Sequence, residues 1–169
     1  MRNGFSTPEQ WGVPRDRRLR GVVWHTMEGY YAGAVDWWNR GNGGAHFCIL
    51  RSGEIILVCD LENIAWHAGT NNEPNGPIYG RTEFWRRNNA NPWTVGVECE
   101  GWAEEGISTE QEHACIRLGT WLKQKYGIPS ARMDDTFDGH HAHADISALR
   151  SDPGPHFPWD RILAGIAAG

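Results

Sequence analysis

The sequence predicts an α/β fold in which a mixed β-sheet is flanked by helices. A hairpin pattern lies in the first half of the chain, and a clearly alternating strand is followed by a long capped helix in the second half. The predicted elements run in the order strand, helix, hairpin, loop, strand, long helix, histidine-rich loop and helix. Strands that alternate with helices are typical of parallel pairing, whereas a hairpin adds an antiparallel pair, so the sheet is expected to be mixed.

The first half of the chain is divided by apolar runs and turn residues. Residues 1–19 are predicted to be irregular, because prolines and charges interrupt them. Residues 41–44 (GNGG) and 51–53 (RSG) are turn sequences that separate the apolar runs. The predicted elements are a strand at 20–25, a turn at 26–29, a helix at 31–40 and two hairpin strands at 45–50 and 54–59.

Residues 94–100 (TVGVECE) show the clearest strand pattern. Their apolar side chains fall on one face, and Glu98 and Glu100 fall on the other. Paired carboxylates on such a face are often only solvated, but beside a metal one of them can act as a general base. Glu98 lies deeper in the strand than Glu100, so we expect it to be held more rigidly.

The clearest helix covers residues 109–126. Ser108 and Gln111 form a capping box at its start, and Gly127 marks its end. The remaining segments are a long loop at 69–92, a polar and histidine-rich loop at 130–158 and a terminal helix at 159–167.

The composition excludes several classes of protein. The chain has 169 residues and a formal net charge of −5, so no surface for nucleic acid is expected. No run of 18 apolar residues is present, and residues 1–16 contain no apolar segment, so neither a membrane span nor a signal peptide is predicted. The four cysteines form no CxxC pair and are expected to be buried thiols.

Histidine and aspartate are placed in a way that suggests metal chemistry. His25 ends an apolar strand, at the rim of the sheet where ligands bind, while residues 138–145 contain three histidines and Asp152 follows soon after. Two neutral imidazoles and one carboxylate are a standard ligand set for catalytic zinc, with a fourth position open to water. Each feature alone has a simpler explanation, a core histidine for His25 and a solvated loop for the cluster.

Five motifs in a fixed order narrow the functional interpretation: VVWHTMEG, GGAHFCILRSGEI, AWHAG, TVGVECEG and HADISALRSDPGPHFPW. Between about residues 21 and 160 they resemble the zinc-dependent N-acetylmuramoyl-L-alanine amidases. This family includes phage endolysins and bacterial autolysins and is related in fold to peptidoglycan-recognition proteins. The resemblance implies a sheet of about five or six strands, and a single catalytic domain over residues 1–169 with no separate cell-wall-binding domain.

The resemblance also implies a site, residue by residue, with one zinc ion per chain. The implied groups are the zinc ligands His25, His143 and Asp152, the catalytic base Glu98 and the oxyanion-stabilising Arg150. The family often places ten positions between its second histidine and its aspartate, whereas His143 precedes Asp152 by nine and His141 by eleven. His141 therefore remains an alternative to His143 at this point.

A groove for substrate is expected beside the metal. His46, Trp66, His67 and Trp102 are the residues expected to contact the substrate there. Tight packing remains an alternative for the two histidines, and core packing is an equal alternative for the two tryptophans.

The implied reaction is hydrolysis of the amide bond between N-acetylmuramic acid and the L-alanine of the stem peptide in bacterial peptidoglycan. The enzyme is expected to be a monomer that binds neither nucleic acid nor membrane. Without a signal peptide, the expected setting is a phage endolysin made in the cytoplasm and released to the wall by a holin. A cytoplasmic muropeptide-recycling amidase and a non-catalytic peptidoglycan-binding module are the alternatives.

Overall fold

The computed structural model describes residues 2–3, 14–69, 82–133 and 135–169, and every structural statement below refers to those residues. This part of the chain contains six strands and five helices. The strands are β1 (Arg2–Asn3), β2 (Gly21–Thr26), β3 (Phe47–Ile49), β4 (Ile55–Leu57), β5 (Thr94–Cys99) and β6 (Gly139–Ala142). The helices are α1 (Tyr31–Asn39), α2 (Glu83–Arg87), α3 (Thr109–Tyr126), α4 (His143–Ile146) and α5 (Trp159–Ala168).

The strands form one mixed sheet with the order β1–β4–β3–β5–β2–β6. β3 and β4 pair antiparallel, as the hairpin pattern predicts, and the other neighbouring strands pair in parallel. The predicted mixed sheet with flanking helices is thus confirmed. β2 has a parallel neighbour on each side, so the carboxyl ends of β5, β2 and β6 lie at the same edge of the sheet.

The two faces of the sheet have different neighbours. On one face, Trp24 of β2 and Val97 of β5 belong to the main core together with Leu118 of α3 and Ile162 of α5. Successive side chains of a strand point to opposite faces. The residues that follow Trp24 and Val97 in the chain, His25 and Glu98, therefore lie on the face that α3 and α5 do not cover.

Helix α3 is attached to the sheet through its own first turn. Ser108 Oγ accepts the N–H of Gln111 at 3.1 Å, and Gln111 Oε1 accepts the N–H of Ser108 at 3.0 Å, which confirms the predicted capping box. The Gln111 side-chain amide also donates to the carbonyl oxygens of Ile49 and Glu100, at 3.0 and 2.8 Å. One side chain thus caps the helix and joins it to the ends of β3 and β5.

The prediction of a loop over residues 130–158 is wrong in its central part. Residues 139–142 form β6 beside β2, and both His140 and His141 in this strand are fully buried. The indole N–H of Trp24 donates to Nδ1 of His140 at 2.9 Å, so this histidine is bonded inside the protein. The sequence pattern predicts a loop because histidine is counted as a polar residue. A neutral imidazole with a hydrogen-bond partner can, however, pack in a buried strand.

The prediction of an irregular start over residues 1–19 is wrong at residues 2–3, which form β1 by pairing with β4. The remaining predicted elements agree with the structure to within a few residues. Helix α2 interrupts the loop predicted at 69–92, and residues 70–81 of that loop lie outside the described residues, as do residues 4–13 of the predicted irregular start. All four cysteines are buried and free, as expected. None of the helices described has the length and apolar character that crossing a bilayer requires.

Gly96 in β5 provides a test of the packing on the open face of the sheet. A Cβ atom at this position would lie 2.3 Å from Cγ and 2.7 Å from Cβ of His67, which is closer than real contacts allow. We expect Gly96→Ala to lower the free energy of unfolding by about 1–3 kcal/mol, because the His67 ring or the strand must move. Urea denaturation measures this change.

Gly33 in α1 is the matched control for the same substitution. A Cβ there has no neighbour within 4 Å, and alanine favours a helix by roughly 0.5–1 kcal/mol over glycine. Gly33→Ala is thus expected to be neutral or stabilising. Equal stability of the Gly96→Ala variant and the wild type would contradict the packing described.

Candidate active site

Three strands bring polar side chains to one edge of the sheet. His25 lies near the end of β2 and is paired in register with Glu98 of the parallel strand β5. On the other side of β2, strand β6 ends at Ala142, and His143 follows as the first residue of α4. Because the carboxyl ends of parallel strands share an edge, these side chains converge although they are distant in the sequence.

His25, His143 and Asp152 form a compact triangle of possible ligand atoms. Nδ1 of His25 lies 3.0 Å from Nδ1 of His143 and 3.1 Å from Oδ2 of Asp152, and the third side of the triangle measures 3.2 Å. Tetrahedral zinc with bonds of ~2.0–2.2 Å places neighbouring ligand atoms roughly 3.3–3.6 Å apart. The observed triangle is only slightly smaller, so these side chains fit a zinc ion in both kind and spacing.

Backbone contacts hold the second histidine and the aspartate in place. The Asp145 carboxylate accepts the N–H of Ala142 at 2.9 Å and pairs with Arg132, which fixes the start of α4. The N–H of Ala144 donates to the carbonyl oxygen of Asp152 at 3.0 Å. The loop with Asp152 is therefore bonded to the same short helix that presents His143.

His141, the alternative ligand, lies elsewhere. Its ring packs edge-on against Trp85, with 5.1 Å between ring centroids. His141 precedes His143 by two positions and still belongs to β6, whereas His143 lies beyond the end of that strand. The structure brings His143, and not His141, beside His25 and Asp152.

Burial sets the charges of the triangle. It lowers the pKa of His25 to about 4, and the neighbouring His143 adds to this effect. Burial opposes ionisation of Asp152, but the adjacent imidazole groups of His143 and His25 outweigh it and lower the pKa of this carboxyl. Near neutral pH the site therefore offers a neutral His25 and an ionised Asp152, the protonation states that metal binding requires.

Glu98 lies beside the triangle in an unusual environment. Its Oε2 atom is buried and has no hydrogen-bond partner in the described structure, although the residue as a whole borders a cavity. Burial, assisted by the charge of Asp152 and opposed by Arg150, raises the pKa of Glu98 to about 8. A carboxyl group that titrates near neutral pH can both accept and donate a proton during a reaction.

Glu100 differs from Glu98 although both lie on the same face of β5. Its carboxylate accepts the backbone N–H groups of Tyr31 and Arg51, each at 3.0 Å. These bonds tie the start of α1 and the hairpin turn to the end of β5. Glu100 therefore has a structural role here, which the strand pattern alone does not reveal.

A cavity of about 780 Å³ opens above the triangle and is lined by all three of its residues, by Glu98 and by Arg150. At its rim lie Tyr30, Trp37 and Leu149, which are 62%, 58% and 65% exposed. Glu28 also lines the cavity and has a backbone φ of 49°, in the left-handed region that non-glycine residues seldom adopt. The cavity thus joins a polar floor to an apolar rim.

Only two of the four residues predicted to contact substrate line the cavity in the described structure. Trp66 and His67 line the cavity. His46 is fully buried, and its Nδ1 accepts the N–H of Gly96 at 3.0 Å, so the structure places it in the interior, which agrees with the packing alternative. Trp102 lies behind the rim, packed edge-on against Tyr30 at 5.3 Å between centroids, so it supports the cavity wall instead of lining it.

Sequence reasoning missed Trp37 and Glu28, which line the cavity, and the buried Thr94, which contacts the cavity residue His67. The pair Trp37-Trp38 predicts an apolar helix face, but nothing in the pattern shows that Trp37 stays exposed at a cavity rim. Glu28 directly follows the strand motif that contains His25, and its position after a strand end was the available signal. Thr94, whose hydroxyl lies beside His67, carries no sequence signal at all.

Comparison with known proteins adds independent evidence. Residues 15–155 match the family described as N-acetylmuramoyl-L-alanine amidase. The 1,6-anhydro-N-acetylmuramyl-L-alanine amidase AmpD of Haemophilus influenzae is 30% identical over 123 residues, which cover 72% of this chain and 58% of that protein. N-acetylmuramoyl-L-alanine amidase A of Achromobacter lyticus is 29% identical over 166 residues, which cover 88% of this chain and 83% of that protein. The chain thus spans less than two thirds of the first relative.

Solved structures show the same fold. The endolysin N-acetylmuramoyl-L-alanine amidase LysCS from Clostridium intestinale superposes with a TM-score of 0.67 at 20% identity, covering 96% of this chain and 94% of that one. The amidase AmiD from E. coli, in complex with the substrate anhydro-N-acetylmuramic acid-L-Ala-D-gamma-Glu-L-Lys, superposes with a TM-score of 0.67 at 22% identity. This match covers 92% of the present chain and 59% of AmiD.

The raised pKa of Glu98 predicts a pH-dependent stability of the metal-free protein. The pKa rises from 4.5 to about 8 on folding, so between these values the folded protein holds a proton that the unfolded chain has released. The stability contributed by this proton is present at low pH and is lost as the pH rises through about 8. Relative to Glu98→Gln, the wild type should lose about 1.4 kcal/mol of unfolding free energy per pH unit in this interval.

Urea denaturation of both proteins between pH 5 and 9 measures the difference, and titrating groups that do not interact with Glu98 cancel in the subtraction. Parallel stability curves for the two proteins would show that Glu98 keeps an ordinary pKa.

Proposed function

The chain belongs to the N-acetylmuramoyl-L-alanine amidase family, and on this basis we propose that it is a zinc-dependent amidase. The reaction proposed is hydrolysis of the bond between the lactyl group of N-acetylmuramic acid and L-alanine. The observation that carries the proposal is the triangle of His25, His143 and Asp152 at the floor of a cavity, with Glu98 beside it. A binding module without activity would have no need of this buried carboxyl group next to a complete ligand set.

His25, His143 and Asp152 are the residues that would hold the zinc ion. When bound, zinc supplies a Lewis acid that polarises the scissile carbonyl and makes an attacking water more acidic. Two neutral imidazoles and one carboxylate leave a local net charge of +1 with zinc, which favours the negative charge that develops on the carbonyl oxygen.

Glu98 is proposed as the group that moves protons. Its carboxylate accepts a proton from the attacking water, and the protonated form then donates that proton to the leaving nitrogen of L-alanine. In the metal-free site burial raises the pKa of Glu98, which favours its action as a proton donor to the leaving nitrogen. β5 holds Glu98 next to His25, so the proton is moved at the site of bond cleavage.

Arg150 is proposed to stabilise the oxyanion. Its side chain is exposed and borders the cavity, and its charge is close enough to oppose the rise in the pKa of Glu98. A guanidinium group stays protonated and therefore acts by charge and hydrogen bonds, never as a proton donor in this reaction.

The rim of the cavity is proposed to hold the parts of the substrate on either side of the bond. Trp37 and Tyr30 offer flat aromatic faces, which suit the apolar faces of sugar rings as well as peptide side chains.

Two biological settings fit the proposed reaction. The first candidate is a phage endolysin that acts on the polymeric wall, and the endolysin amidase LysCS shares the fold of this chain. The names of several relatives specify 1,6-anhydro-N-acetylmuramyl-L-alanine, a soluble wall fragment, which supports a recycling amidase as the second candidate.

Product analysis with two substrates tests the reaction and the setting together. The protein is expected to hold about one zinc ion per chain and to release stem peptides with a free L-alanine amino group, as identified by mass spectrometry. Faster cleavage of purified sacculi favours the wall, and faster cleavage of soluble anhydromuropeptides favours recycling. Full activity after complete chelation of metal would exclude the zinc mechanism, and binding to sacculi without any cleavage would indicate a binding module.

A matched pair of variants tests the role of Glu98. We expect Glu98→Gln to lower turnover by ~10²–10⁴-fold, because the variant lacks the proton-transfer group. Glu100→Gln is the control on the same strand face, and its effect is expected to be less than about tenfold because the Glu100 carboxylate accepts from the backbone of Tyr31 and Arg51. Turnover is measured at saturating substrate and equal zinc content, and near-normal turnover of Glu98→Gln would remove it from the mechanism.

A further inference from the structure

Behind His25, on the side away from the metal triangle, lies a chain of three buried polar contacts. Nε2 of His25 is 3.2 Å from Nδ1 of His67, and Nε2 of His67 is 3.3 Å from the hydroxyl of Thr94. The Thr94 hydroxyl lies 2.8 Å from the carbonyl oxygen of Ala90. The side chains of His25, His67 and Thr94 are all buried, so water does not compete for these contacts.

The carbonyl group at the end fixes the direction of every hydrogen bond in the chain. A carbonyl oxygen can only accept, so the single proton of the Thr94 hydroxyl points to Ala90. The hydroxyl oxygen must then accept from His67, which places the proton of His67 on Nε2. A neutral imidazole carries one N–H, so Nδ1 of His67 is an acceptor and receives the Nε2–H of His25.

We propose that His67 and Thr94 are positioning residues that hold His25 in the tautomer whose Nδ1 lone pair faces the metal. The proposal rests on the proposed zinc amidase function. With its proton held on Nε2, His25 presents to His143 and Asp152 an atom that can only accept. The carboxylate oxygen Oδ2 of Asp152, 3.1 Å away, also can only accept, so these two facing lone pairs favour a cation between them.

Neighbouring residues hold the backbone and the ring of His67 in place. The backbone N–H groups of His67 and Ala68 both donate to Oδ1 of the buried Asn91, at 3.0 and 2.8 Å. The ring lies directly on Gly96, where no side chain would fit. The ring itself is buried between His25 and Thr94, so each of its two nitrogen atoms has a partner within the protein.

Histidine tautomers measured by nitrogen NMR test the direction of the chain. In protein with ¹⁵N-labelled histidine, both His25 and His67 are expected to carry their proton on Nε2, without zinc and with it. A proton on Nδ1 of His67 in the metal-free wild type would reverse the chain and overturn the proposal. This measurement uses the unmodified protein, so it gives a result even where a variant fails to fold.

Zinc affinity, measured by competition with a chelator, tests the consequence. Loss of an outer partner of a ligating histidine typically costs 10–100-fold in metal affinity. Thr94→Val and His67→Leu are therefore expected to bind zinc at least about tenfold more weakly. Thr94→Ser keeps the hydroxyl and His67→Gln keeps one acceptor and one donor, so both should restore most of the affinity.

A core variant separates this role from general destabilisation. Leu118→Ala opens space in the core on the opposite face of the sheet, and it should lower the unfolding temperature while leaving zinc affinity unchanged. Unchanged zinc affinity of Thr94→Val overturns the positioning role while leaving the amidase proposal intact. A wild type that binds no zinc overturns the amidase proposal, and the tautomers of the metal-free protein still decide the direction of the chain.

Discussion

The parallel pairing of β2 with both of its neighbours is the constraint on which the site depends. The register of β2 with β5 places His25 beside Glu98. On the other side of β2, Trp24 pairs with Ala142 at the end of β6, and His143 is the next residue in the chain. A shift of either pairing by one residue would turn a polar side chain from the open face into the core. Helices α3 and α5 thus contribute to the site, because the core that they form with Trp24 and Val97 fixes His25 and Glu98 on the opposite face of the sheet.

Much of the fold follows from the sequence, and the exceptions have a common cause. The hairpin and the capped helix α3 are recognisable because turn residues and caps act locally. Strand β6 is not recognisable, because His140 and His141 are covered by Trp24 and Trp85, which other parts of the chain supply. Trp24 is separated from His140 by more than a hundred residues, so no local pattern reports their hydrogen bond.

The same distinction applies to the site. The resemblance to amidases pointed to His25, Glu98 and Asp152, but spacing could not decide between His141 and His143. That choice depends on where β6 ends and α4 begins. The hydrogen bond from the N–H of Ala142 to the Asp145 carboxylate helps to fix this position. The interior position of His46 could likewise not be predicted from the sequence, because a motif identifies a residue without showing which neighbours cover it.

The exposed apolar side chains of the described surface have a consequence for regulation. Tyr30, Trp37 and Leu149 are its large hydrophobic residues with most exposure, and all three border one cavity. A second protein that bound to these three side chains would cover the mouth of the cavity. Inhibition by simple occlusion would then need no conformational change and no mimicry of the substrate, only a surface that fits three side chains.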